Sequence, residues 1–372
     1  MKLPLPCNLK AQQKVFFLHQ ALAYSCCRAY PVEMNSDTTY ESLLQHWSQE
    51  KQKLDQGIAV PSCNVCWRDE QNNVASYRMT AGQQVSEFSI LLGFSNACNN
   101  MCVYCSPKYS TTWQKSIEMY GNFTGVSRSV QNNLQLLSNQ SINVDAWLEN
   151  IQQDINTQPE HSVNLALLGG EPLMQKDSLR QLLKLISSKI KKITINTNLN
   201  PPDNKFLQWL LTEFPKERLS FEISLDATPD FNHVPRAGFD QSKFRENLLL
   251  LQDKNINFTF FAVCSVLNFF DLPNFYKWVN THGFSSKHFK LNNPDCLDPA
   301  WIPTQFAQPI LMQIQQMPEF LKPLQQSRKT VDLKLKEQYN YLKQYFERTG
   351  TDVNTVNAEF NQYWNWLEER FK

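Results

Sequence analysis

Three cysteines, Cys98, Cys102 and Cys105, form a C-x3-C-x2-C run directly after an apolar stretch at 88–94. That stretch reads as a buried strand, so the cysteines lie on the loop leaving its end. Three thiolates are one short of the four that fill an ordinary four-iron cluster. A cube held by three leaves one iron open to a substrate or cofactor, as a Lewis acid, while the cube supplies an electron. Zinc is the competing chemistry, since it also takes thiolates. A structural zinc wants paired C-x2-C knuckles and a fourth ligand, which this run lacks. Tyr104 stands just before the third cysteine, where its ring could cover a bound nucleoside.

Other residues carry chemistry at the ends of expected strands. Gly169-Gly170-Glu171-Pro172 follows a strand at 163–168. Glycines let backbone approach a ligand closely, and Glu171 can accept hydrogen bonds from an ammonium group. Asn196, within Thr194-Ile195-Asn196-Thr197-Asn198, could reach a ligand or cap the next turn. Ser224 and Asp226 alternate to the same side of the fourth strand. Arg236 follows them, and a guanidinium suits bidentate pairing with a carboxylate. A second set of cysteines, Cys7, Cys26, Cys27, Cys63 and Cys66, lies near the N-terminus. The C-x2-C at 63–66 brings two sulfurs to one metal, and two upstream cysteines complete a set of four. The same residues would also suit a zinc knuckle. His161 and His288 have no partner at ligand spacing and read as structural.

The C-x3-C-x-aromatic-C pattern after a strand resembles the signature of the radical S-adenosylmethionine (radical SAM) enzymes. Phe94-Ser95-Asn96 before it and Tyr109-Ser110-Thr111-Thr112-Trp113 after it resemble the subgroup carrying a twitch or SPASM auxiliary-cluster domain. The resemblance implies a [4Fe–4S] cluster on Cys98, Cys102 and Cys105 whose open iron chelates the methionine end of S-adenosylmethionine. Reduction then gives methionine and a 5′-deoxyadenosyl radical that abstracts a hydrogen atom. Residues 169–172 resemble the G-G-E-P motif that binds the methionine amino group. Asn196 belongs to a strand end similar to the T-N-G type. Ser224-Leu225-Asp226 resembles an S-x-D end that contacts the ribose, and Arg236 an arginine that meets the methionine carboxylate. The N-terminal unit resembles a relocated twitch domain, implying a second [4Fe–4S] cluster on Cys7, Cys26, Cys63 and Cys66. Cys27 is the alternative to Cys26, and Ala21 stands where relatives carry glycine. Cys264 and Cys296 are either small buried hydrophobes or thiols able to give a hydrogen atom to a substrate radical.

Positioning these residues takes alternating strands and helices. Strands are expected at 87–94, 163–168, 192–196, 219–225, 256–263 and 288–291. Helices are expected at 147–156, 178–190, 205–214, 242–253 and 272–282. The fold class is α/β, which the resemblance makes a partial (β/α)6, TIM-like barrel. Three domains are expected: an auxiliary-cluster domain at 1–85, with a helix at 40–54; the core at 86–296; and a helical extension at 297–372. The extension carries Trp301, Phe306, Leu311, Ile314 and Leu321, a helix at 330–348 and aromatics at 358–372 that pack back on the domain. The polar insertion at 106–141 reads as a substrate lid or an ill-ordered excursion.

Net charge is +1 over 372 residues, with 42% hydrophobic residues and ten cysteines. The balance argues against nucleic acid as a partner. No apolar run is long enough to span a bilayer, and no export signal is visible. Clustered cysteines without export point to the cytoplasm and to metal. The expected activity is radical modification of a ribosomally made peptide, with an electron donor such as flavodoxin or ferredoxin. The alternatives are oxidation or rearrangement of a small metabolite, or an iron–sulfur sensor without turnover.

Overall fold

The computed structural model describes residues 7–80, 87–93, 95–136, 142–291, 293–314 and 332–372. The boundary expected near residue 85, Phe94 and Leu321 lie outside them. The strands, in chain order, are β1 (Gln13–Phe17), β2 (Leu22–Tyr24), β3 (Val32–Glu33), β4 (Ser89–Gly93), β5 (Met101–Cys102), β6 (Val163–Leu167), β7 (Ile190–Thr197), β8 (Leu219–Ser224), β9 (Arg236–Ala237), β10 (Asn257–Cys264) and β11 (Ser286–Lys290). The fold is α/β, with mostly parallel strands separated by helices. The chain gathers into two compact units, residues 1–96, 137–196 and 209–220 in one, and 97–136, 197–208 and 221–372 in the other.

In the first unit the strand order is β3-β2-β1-β4-β6-β7. β1, β4, β6 and β7 run parallel, while β2 and β3 return antiparallel at the edge. The N-terminal stretch therefore lends three strands to the same sheet as β4. Hydrophobic burial explains why. Phe16 is paired in register with Leu92 and lies against the rings of Tyr40, Trp47 and Trp147. β6 buries Val163, Leu165 and Leu167 and leaves Asn164 and Ala166 partly exposed, the alternation its sequence dictates. The helix Tyr40–Asp55 starts at a capping box between Thr39 and Ser42 and buries Leu43, Trp47, Glu50 and Leu54.

In the second unit β8, β10 and β11 stand side by side in that order, with β10 and β11 parallel. β5 and β9 form a short antiparallel ribbon in which Cys102 is paired with Arg236. The polar insertion expected as a lid or excursion holds two helices, Thr111–Tyr120 and Arg128–Asn133. Each is started by a serine hydroxyl, Ser110 or Ser127, that accepts a backbone N–H. Trp113, Ile117 and Val130 are buried while Met119 and Tyr120 stay exposed, so a polar average hid a real packing face. Helices Asp332–Thr349 and Ala358–Phe371 sink Tyr341, Tyr345, Phe360, Tyr363 and Leu367 into one core with Met101 and Val103. Among the described residues no helix is long and apolar enough to cross a membrane.

Candidate active site

The three-cysteine loop is held by its own backbone. Cys102, on β5, is buried, and Cys98 and Cys105 are partly exposed. The Cys98 N–H donates to Thr111 Oγ1 at 3.2 Å, and its carbonyl accepts from the hydroxyls of Thr111 and Thr112 at 3.1 and 2.8 Å. Three successive carbonyls around Cys102 each meet an aromatic donor. Tyr345 Oη bonds Met101 O at 2.7 Å, Trp113 Nε1 bonds Cys102 O at 2.8 Å, and Tyr341 Oη bonds Val103 O at 2.8 Å. The two tyrosines come from the helix Asp332–Thr349. No local sequence pattern marks them for this role, since the pairing spans most of the chain. Burial raises the Cys102 thiol, and the Arg236 charge pulls it partly back. Burial, then the neighbouring Cys102, pushes Cys105 up to about 12.

Tyr104, Asp226 and Arg236 were each expected at the cofactor; the structure bonds them to one another. The Asp226 carboxylate is 0% exposed and accepts four hydrogen bonds. They come from Arg236 Nε at 2.7 Å, Arg236 Nη2 at 3.1 Å, Tyr104 Oη at 2.8 Å and the Val263 N–H at 2.9 Å. Arg236 Nη2 also donates to the Tyr104 hydroxyl, and Nη1 lies 3.5 Å from Cys102 Sγ. Burial opposes the Arg236 charge, but Asp226, Tyr104 and Cys102 outweigh it and hold its pKa well above the ordinary value. A buried carboxylate without such partners would be costly, which is why this pair closes on itself.

In the first unit, Gly169 adopts φ +109°, and a Cβ there would sit 2.8 Å from the Ser95 carbonyl. The glycine is thus required by chain against chain: the Gly170 N–H donates to Ser95 O at 3.0 Å. Glu171 is buried, and its Oε1 accepts the Leu173 N–H at 3.0 Å, capping the turn begun by Pro172. Asn196 lies on β7, and its buried Oδ1 has no hydrogen-bond partner among the described residues. In the second unit Ser224 ends β8, partly buried. Cys264 and Cys296 are buried, at the end of β10 and in the turn Asp295–Leu297, and burial raises both thiols.

Cys7, Cys26, Cys63 and Cys66 line one pocket with Lys10, Arg28 and Arg78. Cys27 is exposed instead, and its N–H donates to Gln13 Oε1 at 2.7 Å, so the geometry gathers Cys26 and leaves Cys27 outside. Burial pushes Cys26 up to about 12. Burial also raises Cys63, against the Lys10 charge and a bond from Ser62. Among the described residues, the loop cysteines and the pocket cysteines alike, no group of three or more His, Cys, Asp or Glu is drawn together around a single metal-ion position.

The profile of the Radical SAM superfamily matches residues 92–279, a span that contains the three-cysteine loop, residues 169–172, Asn196, Ser224 and Arg236. The chain belongs to the radical SAM superfamily. No curated protein matches it. Among solved structures it is similar to native anSMEcpe with bound AdoMet, at 16% identity and a TM-score of 0.39 over 69% of this chain and 59% of that one. It is also similar to Streptococcus suis SuiB bound to precursor peptide SuiA, at 11% identity and a TM-score of 0.39 over 94% of this chain and 77% of that one. The chain thus spans less than two thirds of the length of anSMEcpe.

Membership of the radical SAM superfamily implies a [4Fe–4S] cluster and S-adenosylmethionine. The residues present fit both. The loop offers three thiols and no fourth, the donor set for a cluster with an open iron. The partnerless Asn196 Oδ1 is an acceptor awaiting a hydroxyl or ammonium donor.

Proposed function

We propose that this radical SAM protein cleaves S-adenosylmethionine reductively and turns the resulting 5′-deoxyadenosyl radical on a C–H bond of a peptide. Cys98, Cys102 and Cys105 would hold the cluster, which when bound supplies the electron and an open iron for the methionine end of the cofactor. The observation that carries the reading is the fixed loop. Thr111, Thr112, Trp113, Tyr341 and Tyr345 satisfy the carbonyls of Cys98, Met101, Cys102 and Val103 and so fix the backbone that carries Cys98 and Cys102. Asn196 Oδ1 offers an acceptor to the cofactor, Glu171 and the backbone at 169–172 take its ammonium, and Ser224 takes the ribose. Arg236 is assigned to the Cys102 sulfur in place of the methionine carboxylate, because Asp226 and Tyr104 already hold its Nε and Nη2 donors and Nη1 lies at the sulfur.

The strands are proposed to close as a partial (β/α)6 barrel, with residues 1–85 as a twitch-like domain. Its four-cysteine pocket would hold a second [4Fe–4S] cluster that conducts electrons. The protein would work in the cytoplasm, reduced by a donor such as flavodoxin or ferredoxin. The test uses anaerobically reconstituted, reduced protein with S-adenosylmethionine. Wild type should release 5′-deoxyadenosine and Cys102→Ala none. A peptide encoded beside the gene, deuterated at its side chains, should pass label into the 5′-deoxyadenosine. Cleavage with no label from any such peptide would remove the peptide from the proposal.

A further inference from the structure

Lys10 lies at the four-cysteine pocket with its side chain 0% exposed. Its ammonium donates to Ser25 Oγ at 2.8 Å and Ser62 Oγ at 2.8 Å, and pairs with Glu50 Oε2 at 2.7 Å. Ser62 Oγ in turn donates to Glu50 Oε1 at 2.7 Å. The partners are placed to a purpose. Ser25 immediately precedes Cys26, Ser62 immediately precedes Cys63, and Lys10 itself sits on the short helix Leu9–Gln12 that follows Cys7. Cys63 Sγ is 4.0 Å from the ammonium, too far for a strong hydrogen bond.

We infer that Lys10 is the positioning residue of the second cluster, an assignment that rests on the auxiliary-cluster reading above. An ammonium has three N–H donors, and here each is taken by a different segment of chain. A buried ammonium is tolerated only when its partners are all present. The node therefore forms only when the segments carrying Cys7, Cys26 and Cys63 have met, and it sets their cysteines before metal binds. An apolar side chain of similar length fills the same space but removes the ammonium from Glu50, which keeps only the Ser62 hydroxyl and the more distant His46, and unties the Ser25 turn from both.

The test measures iron and sulfide per chain after anaerobic reconstitution of the full-length protein. Wild type should hold about eight irons, as two four-iron clusters. Lys10→Met and Ser62→Ala should lower iron affinity at the second site by about 10- to 100-fold, the usual penalty for removing a partner behind a metal ligand. Both should fall toward about four irons while keeping the three-cysteine cluster's electron paramagnetic resonance signal. Should Lys10→Met fail to fold, Ser62→Ala decides alone. Ser62→Thr, which keeps the hydroxyl, should retain the iron. Wild-type iron content and an unchanged second-cluster spectrum in Lys10→Met and Ser62→Ala would overturn the inference with the auxiliary reading intact. Only about four irons in wild type would overturn that reading first, and the inference with it.

Discussion

Asp226→Asn isolates the charge at the centre of the site with almost no change in shape. The carboxylate accepts four hydrogen bonds, from Arg236 Nε, Arg236 Nη2, Tyr104 Oη and the Val263 N–H. An amide keeps one acceptor oxygen, so its –NH2 must point at donors, toward Arg236 Nε and Tyr104 or toward Arg236 Nη2 and Val263. Arg236 would be left charged and only 6% exposed. Breaking a buried pair from one side costs about 3–5 kcal/mol. Losing two charge-assisted bonds at about 1.5–3 kcal/mol each gives a similar figure. With m of about 2–3 kcal/mol per M for urea, the denaturation midpoint of the apoprotein should fall by about 1–2 M. Adding Arg236→Met removes the stranded charge, so the double variant should be more stable than Asp226→Asn alone, with a coupling of at least about 1 kcal/mol. A single-variant loss below about 1 kcal/mol, additive with Arg236→Met, would refute the buried pair as the anchor of Cys102.

Tyr345→Phe removes the donor to Met101 O and the acceptor of the Ala237 N–H. It should cost about 1–3 kcal/mol and slow cluster assembly on the three-cysteine loop, read by absorbance during iron titration; Tyr341→Phe should act alike at Val103. Gly169→Ala puts a Cβ 2.8 Å from the Ser95 carbonyl at φ +109° and should weaken S-adenosylmethionine binding by calorimetry. Gly283→Ala, with φ +67° but nothing within 4 Å, should leave that binding unchanged. Burial lowers the His288 pKa to about 4, against a raising contribution from Asp226. The unfolded chain then binds a proton that the folded chain refuses, so stability should be lost as pH falls from about 6.5 toward about 4, by about 3 kcal/mol in all. His288→Phe should flatten that part of the urea-midpoint profile relative to wild type.

What could be read in the sequence was what repeats over a few residues. Val163-Asn164-Leu165-Ala166-Leu167 alternates, and β6 lies there. The spacing of Leu43, Leu44, Trp47 and Leu54 announces an amphipathic helix, and it forms over Tyr40–Asp55, where the structure adds the Thr39–Ser42 cap. β1 escaped notice because Gln13 and Lys14 are polar and only Val15 and Phe16 are buried. What makes it a strand is register with Leu91 and Leu92, more than seventy residues on. The C-x3-C-x2-C run stands out in the sequence because of its close spacing, and the structure gathers Cys7, Cys26, Cys63 and Cys66 at one pocket. The residues that hold the three-cysteine loop do not stand out. A hydroxyl on Tyr345 is indistinguishable in sequence from any other until the fold brings it to Met101 O, and the pairing of Asp226 with Arg236 is settled by the β5–β9 register that sets Arg236 beside Cys102.

The two cysteine sites share one electrostatic design, reached from unrelated sequence. Behind Cys102 stands Arg236 paired with Asp226, and behind Cys63 stands Lys10 paired with Glu50. In each pair the anion satisfies the buried cation, so neither pair leaves a stranded charge in the fold. In each the cation is the member nearer the sulfur, with Arg236 Nη1 3.5 Å from Cys102 Sγ and Lys10 Nζ 4.0 Å from Cys63 Sγ. A neutral thiol gains little from that arrangement, but a thiolate gains from the nearer positive end in a medium of low dielectric. Burial raises the Cys102 and Cys63 thiols, and under the proposed function the nearby cation would favour their ionised form if an iron core were bound. Reversing either pair, for example Asp226→Arg with Arg236→Asp, keeps the buried partners but sets a carboxylate toward the sulfur. That exchange should lose cluster from the three-cysteine loop, measured as iron per chain, even where the fold survives. Retention of full iron would show that the orientation of the pair carries no weight.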